Sequence, residues 1–394
     1  MSGMHRGGGR SNRGSRNRNK KNFQRNSNGH RGNGGSNDLL RHLHKEAELE
    51  AHTARKDVPG ISMMVAANFT GFNGLISVGH DGRLRFLDIT AKDFVYEEDL
   101  GGEGHYVFFE HPFLFVGFDK ESPLMPGVPV GMLGVYNVEA QPLARKDLIV
   151  NEATPFAHSS RIAAITVGGA LLISGGADGI VRLWKFDDAA GTFVFWQNLI
   201  GHVRPVTSLC FVESDGGGML WSGSEDRTIR IWNITSSGAQ CVDMKSAGRR
   251  NGDDPGGHSL AVTSLKLVPG TPPFILSAGV DQKLIVWNAT TNEYCGGTEC
   301  GAAIQEVELG TLPDPTADGN VLNCLFLSCR TGDFQIREWD SDLTLRISTT
   351  RRSGNRGIAH SFGCSTLVVP EHGQFYSAGR DGKIMVWNVR QDRV

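Results

Sequence analysis

No apolar run in the 394 residues approaches the roughly 18 needed to cross a bilayer as a helix, and no signal-peptide core follows Met1. A helical membrane protein and a secreted one are both unexpected on that ground. No cysteine precedes Cys210, and the total of seven is odd in a long chain without a secretory leader. Reduced thiols and an intracellular home, nucleus or cytoplasm, are the expectation. There is no Gly-rich phosphate loop, no G-x-S-x-G elbow and no H-E-x-x-H. Catalysis has no motif to sit on, so the chain reads as a non-enzyme without cofactor, metal or small-molecule substrate.

Acid is missing from residues 1–37, which hold nine basic side chains: Arg6, Arg10, Arg13, Arg16, Arg18, Lys20, Lys21, Arg25 and Arg31. With 40 Lys and Arg in all, the remainder carries 31 basic against 42 acidic residues, a net of −11. The leader is Gly-, Asn- and Ser-rich with one aromatic, Phe23. Such a segment buries too little apolar surface to offset its ordering entropy, and disorder is expected. Its Arg-Gly steps resemble the arginine-glycine segments of RNA-associated proteins, which neutralise phosphate without reading bases. Plain solvation, or folding back on the acidic remainder, are the competing readings. Lys20-Lys21 with the nearby arginines also fits a short basic signal for nuclear entry.

What is present is repetition. Five segments read LLISGGADGIVRLW (171–184), MLWSGSEDRTIRIW (219–232), FILSAGVDQKLIVW (274–287), LFLSCRTGDFQIREW (325–339) and QFYSAGRDGKIMVW (374–387). Each sets an aspartate six residues before a tryptophan: Asp178/Trp184, Asp226/Trp232, Asp281/Trp287, Asp333/Trp339 and Asp381/Trp387. Two weaker copies put Leu87 and Tyr136 at the tryptophan place, the second split by the insertion 120–130. Positions 87, 136, 184, 232, 287, 339 and 387 then recur every 48 to 55 residues. That period predicts an all-β fold, a seven-bladed propeller over 38–394. Leu87 and Tyr136 lack an indole N–H, so blades 1 and 2 are expected to be tied less rigidly.

These motifs resemble WD40 repeats. Gly201-His202 and Gly257-His258 carry the family's Gly-His pair, while His52, His158 and His360 follow Ala; Trp-Asn closes blades 4, 5 and 7 and Trp339-Asp340 blade 6. The resemblance implies structural tetrads His202–Ser208–Asp226–Trp232 and His258–Ser264–Asp281–Trp287, lapsing in blade 6 for want of a histidine. The stretch from about 45 to the end is also similar to the plant CCCH zinc-finger/WD-repeat proteins. Their Cys₃His finger has no counterpart here, so zinc-dependent RNA binding does not carry over. Cys295/Cys300 and Cys324/Cys329 are five positions apart. In a strand such positions face opposite sides, a poor grip for one ion.

The chain stops after the third strand of blade 7, so residues 46–51 are expected to supply the fourth and latch the ring. A helix through LLRHLHK is the competing reading. If turn aspartates meet inter-blade histidines, the loops share one face. The insertions 120–130, 244–256 and 346–357 would decorate it, with Arg204, Arg249, Arg250, Arg351, Arg352 and Arg356 as a partner-binding set for phosphate or carboxylate. Solvated loop charge, partly matched by Asp253 and Asp254, is the bland account. The expected function is a protein-interaction scaffold, with RNA as a possible ligand of the leader and no membrane partner. The alternative is a substrate receptor of a cullin-based ubiquitin ligase. For that, residues 375–390 resemble the docking box ending Trp-Asp-x-Arg, with Asn388 for the aspartate and Arg390 kept.

Overall fold

Four short segments per repeat, each too short to bury a core alone, pair antiparallel into one sheet. Seven such four-stranded sheets occur among the described residues. The structure, a computed structural model, describes residues 43–54, 60–248, 256–314, 320–339, 348–352, 359–370 and 373–389. Every expectation for residues 1–37 lies outside them, as do Arg249, Arg250, Arg356 and Arg390. The inner strands are Ile61–Phe69, Gly104–Glu110, Ile162–Gly168, Val206–Ser214, Val262–Val268, Ile304–Pro313 and Cys364–Val368. Each touches the inner strands of both neighbouring blades, blade 7 meeting blade 1, which closes the ring.

Apolar side chains alternate along these strands, and seven buried clusters fill the seven clefts between neighbouring sheets. The closing cleft packs Ile61, Met64, Leu75 and Leu87 of blade 1 against Val368, Tyr376, Ile384 and Val386 of blade 7. The outer strand of blade 7 is Leu43–Glu50, paired antiparallel with Lys383–Val389. Ala47 and Leu49 pack on the closing cluster, and Glu48 takes Lys383 at 2.5 Å. A strand from before blade 1 thus completes the last sheet.

Every inner strand carries a β-bulge after its first residue. The residues skipped by the pairing are Ser62, His105, Ala163, Thr207, Thr263, Gln305 and Ser365. A bulge re-aims a side chain, and all seven line the central channel. Four are hydroxyls that donate to the next blade's inner strand: Ser62 to Gly104 O (2.6 Å), Thr207 to Val262 O (2.6 Å), Thr263 to Ile304 O (2.8 Å) and Ser365 to Ile61 O (2.7 Å).

Four blades hold a complete buried tetrad. In blade 4 the Trp232 indole N–H donates to Ser222 Oγ (2.9 Å), which meets His202 Nε2 (2.8 Å), and His202 Nδ1 meets Asp226 Oδ2 (2.9 Å). Blades 3, 5 and 7 repeat it with Trp184–Ser174–His158–Asp178, Trp287–Ser277–His258–Asp281 and Trp387–Ser377–His360–Asp381. The aspartate carboxylate can only accept, so each imidazole gives it the Nδ1 proton, while the serine oxygen accepts the indole N–H. Burial opposes charge on these aspartates. The histidine and backbone N–H bonds outweigh it and hold Asp81, Asp178, Asp226, Asp281 and Asp381 below the usual carboxylate range.

Three expectations are corrected. The tetrad hydroxyls are Ser222 and Ser277 of the second strands, not Ser208 and Ser264. An inner strand lies about 10 Å from the third strand, out of reach of its tryptophan. Ser208 and Ser264 instead accept the Leu265 and Val307 N–H groups of the next blade (2.8 and 3.1 Å). In blade 6 the bulge sets Ile304 and Glu306 against Cys329 and Ser328, as blade 3 sets Ile162 and Ala164 against Gly176 and Gly175. Counting from there, Arg337 opposite Leu325 takes the place of Trp184 opposite Leu172, and Asp333/Trp339 sit two residues beyond their supposed places. Arg337 is 2% exposed and spends its Nε and Nη2 protons on Gln335 Oε1 (3.3 and 3.0 Å). Finally, Arg351 and Arg352 belong to the outer strand Ser348–Arg352 of blade 6, not to a loop.

Blade 1 keeps His52, Ser77 and Asp81 in contact (3.0 and 2.7 Å) with Leu87 buried beside them. In blade 2 the Tyr136 hydroxyl donates to Glu98 of blade 1 (3.0 Å), which also takes Arg145 (3.0 Å), so a separate network ties these two blades.

Ser222→Ala strips partners from two buried nitrogens and is expected to cost about 2–4 kcal/mol in urea unfolding, against about 1 kcal/mol for Ser208→Ala. Deleting 43–50 leaves the last sheet an open edge, and calorimetry should record a melting point lower by about 5 °C or more.

Candidate functional site

The tetrads position a face. In five blades the aspartate turn contacts the joint histidine of the same blade, which brings second-to-third-strand turns and inter-blade loops to one mouth of the channel. One backbone bond repeats seven times there, the residue at each turn donating to the residue just before the inner strand. The pairs are His80–Gly60, Asp119–Glu103, Ala177–Arg161, Glu225–Pro205, Val280–Ala261, Arg330–Ala303 and Arg380–Gly363, at 2.8–3.1 Å. Two concentric rings of side chains follow from it.

Charge on those rings is uneven. Arg330 and Arg380 stand on adjacent blades 6 and 7, His80 follows on blade 1, and Arg161 sits on blade 3; Glu103, Asp119 and Glu225 belong to blades 2 and 4. Arg161, Arg330 and Arg380 have no carboxylate within ion-pair distance among the described residues. Burial, with Arg380 alongside, holds the Arg330 guanidinium below its usual range, and its Nε reaches only Gln305 Oε1 (3.2 Å).

His80 is the most perturbed group of the mouth. Burial, reinforced by His105, Arg380 and Arg161, pushes its imidazole down to about 4. Ser62 Oγ gives its proton to Gly104 O and so accepts from His80 Nδ1–H (2.7 Å), leaving Nε2 with a lone pair. The His80 and His105 rings meet edge to face at 5.2 Å. His105 Nε2 lies 2.9 Å from Asp119 Oδ2, too poorly aligned for a hydrogen bond.

Below the mouth the channel encloses about 840 Å³ between the inner strands. Lys266 and Glu308 pair there at 2.6 Å. Burial, then the neighbouring Glu308, pushes Glu306 up to about 7.

Large apolar side chains are also left to solvent on this face. Asp226, Asp281 and Asp381 accept the amide N–H of Val203, Ser259 and Ser361, which fixes the joint loops beside the turns. Val203, Leu260 and Phe362 of those loops are 84%, 45% and 58% exposed. The insertion 120–130 lengthens the blade 2 hairpin, pairing Glu121 with Pro129, and its tip shows Leu124, Met125 and Val128. Ser122 Oγ and Glu121 Oε1 hold that tip by accepting Leu124, Met125 and Gly127 N–H.

Of the expected partner-binding arginines, Arg204 is exposed on the blade 3–4 joint of this face. Arg351 and Arg352 run along the periphery instead. Sequence reasoning missed His80, Arg330 and Arg380 at the turns and Glu103, His105 and Arg161 at the inner-strand starts. The available signal was the residue just before the turn aspartate in each aligned repeat; blades 2 and 6, where the aspartate is absent or shifted, hid it. The seven cysteines are free thiols, and Cys324 and Cys329 are buried.

Residues 135–250 match the family described as "IP5P C-F beta-propeller", and residues 255–288 and 355–388 match "WD domain, G-beta repeat". Over 167 residues the chain is 26% identical to "Zinc finger CCCH domain-containing protein 62" of Arabidopsis thaliana, covering 42% of this chain and 33% of that protein. The chain thus spans about a third of the length of that curated relative. A chain in "Crystal Structure of Mitotic Checkpoint Complex" superposes with a TM-score of 0.60 at 18% identity, covering 88% of this chain and 96% of that one. That likeness is one of fold.

Raising pH from about 4.5 to 7 is expected to destabilise the protein through Glu306, because the folded state keeps a proton that the unfolded chain releases. In Glu306→Gln that decline shrinks by about 1–3 kcal/mol. Urea midpoints at the two ends of the range measure it.

Proposed function

We propose that this chain, a seven-bladed propeller built of WD40 repeats, is a non-catalytic scaffold that captures an acidic protein segment on its loop-bearing mouth. The observation that carries the reading is the company kept there. Arg161, Arg330 and Arg380, with no carboxylate in ion-pair distance among the described residues, surround the channel, and Val203, Leu260, Phe362, Leu124, Met125 and Val128 stand exposed on the same face. Apolar anchors flanked by polar groups are the anatomy of a protein interface. Guanidinium groups with spare protons take carboxylate or phosphate oxygens in paired bonds. The arginine-glycine leader adds loose RNA contact through phosphate neutralisation.

Affinity purification compares wild type with Arg330→Glu/Arg380→Glu. The expected outcome is loss of the co-purifying proteins at an unchanged melting temperature; an unchanged partner set overturns the reading. Recovery of crosslinked RNA should fall when 1–37 are deleted and decline steeply with salt. Recovery that ignores both removes the RNA role and leaves protein capture standing. A ubiquitin-ligase adaptor lost only in Arg390→Ala would favour the receptor role instead.

A further inference from the structure

We propose that His80, Glu103 and His105 form a binding site for a first-row divalent transition metal, with Zn²⁺ as the probe, on the blade 1–blade 2 side of the mouth. One ligand atom from each of the three lies within 4.8 Å of the other two. Metal–nitrogen and metal–oxygen bonds near 2.1 Å ask for ligand atoms about 3.4 Å apart, a distance that modest side-chain rotation supplies. Two imidazoles and a carboxylate suit zinc and its neighbours, whereas calcium and magnesium select oxygen. Coordination beyond these three ligands is left to water or an oxyanion.

The His80 imidazole is oriented from behind. His80 spends Nδ1–H on Ser62 Oγ (2.7 Å), and Ser62 is fixed in turn on Gly104 O, so the lone pair of Nε2 is available. Asp119 Oδ2 stands 2.9 Å from His105 Nε2 without a hydrogen bond, which keeps a second carboxylate beside that nitrogen. The amide of Asp119 donates to Glu103 O at 2.8 Å, tying the two carboxylate residues together.

A second observation points the same way. The His105 side chain is 8% exposed, yet its Nε2 and Asp119 Oδ1 make no hydrogen bond. Buried polar atoms are nearly always satisfied, and two unsatisfied ones at the same spot mark a missing partner. The motif also leaves blade 2 free for this use. Val116 stands opposite Gly134 at the tetrad serine's place, so His105 is not a tetrad member. Arg161 and Arg380 face His80; their positive charge disfavours a bare dication but favours one that carries an anion, beside Glu103 and Asp119.

The test uses the full chain, stripped with chelator and titrated with Zn²⁺ by calorimetry, with Co²⁺ absorption reporting the ligand type. One saturable equivalent is expected, weakened about 100-fold or more in His80→Ala/His105→Ala. Glu103 is exposed, so Glu103→Gln should stay folded and still weaken binding, which keeps the test open if the double variant fails to fold. Cys241 and Cys295 are the exposed thiols, and Cys241→Ser/Cys295→Ser should bind as wild type. No saturable binding overturns the proposal. Equal binding in Glu103→Gln and the double histidine variant, or a Co²⁺ spectrum of thiolate type lost with the two cysteines, also overturns it.

Discussion

A buried histidine held between a serine hydroxyl and a turn carboxylate is the contact on which the rest of this structure depends. It spans from the second strand of a blade to the loop that enters the same blade, fixing two otherwise free connections. Five blades make it, through His52, His158, His202, His258 and His360, with contacts of 2.7–3.1 Å to the aspartate. Each carboxylate accepts from the imidazole and from a backbone N–H, so the buried polar atoms of the unit are satisfied. Loops that would otherwise wander are thereby delivered to one mouth.

Closure is a separate constraint. No sheet here could stand alone, and each buries its faces only against two neighbours. The ring has no free end because Leu43–Glu50 completes blade 7 and Ser365 bonds Ile61 across the seam. Bulged hydroxyls repeat that inner-strand bond at three further junctions. Where the bulge residue is not a hydroxyl, as at His105 and Gln305, the channel wall gains a group able to do something else.

The two blades without a joint histidine carry the unusual chemistry. Blade 2 replaces the tetrad with Tyr136–Glu98–Arg145 and places Glu103, His105 and Asp119 at the mouth. Blade 6 buries Arg337 in place of an indole and leaves Arg330 beside Arg380. Departures from a repeat's own rule tend to fall where a surface is put to use.

Much of this was legible in the chain itself. Strand period, turn residues and the tryptophan interval come from local physics, so the blade count, the places of Leu87 and Tyr136 and the end-to-start latch could be read directly. Register within a blade could not. In blade 6 the spacing from Asp333 to Trp339 mimics the motif, yet pairing begins two residues earlier, and only the partner strand reveals it. Ser208 and Ser222 look equally apt until strand spacing shows which one an indole can reach. The mouth was hidden for the same reason: His80, Arg161, Arg330 and Arg380 are distant in sequence and carry no motif. They meet because a bulge and one repeated backbone bond bring the same position of every blade to a common axis, and convergence on an axis is a property of the closed ring, which no single repeat contains.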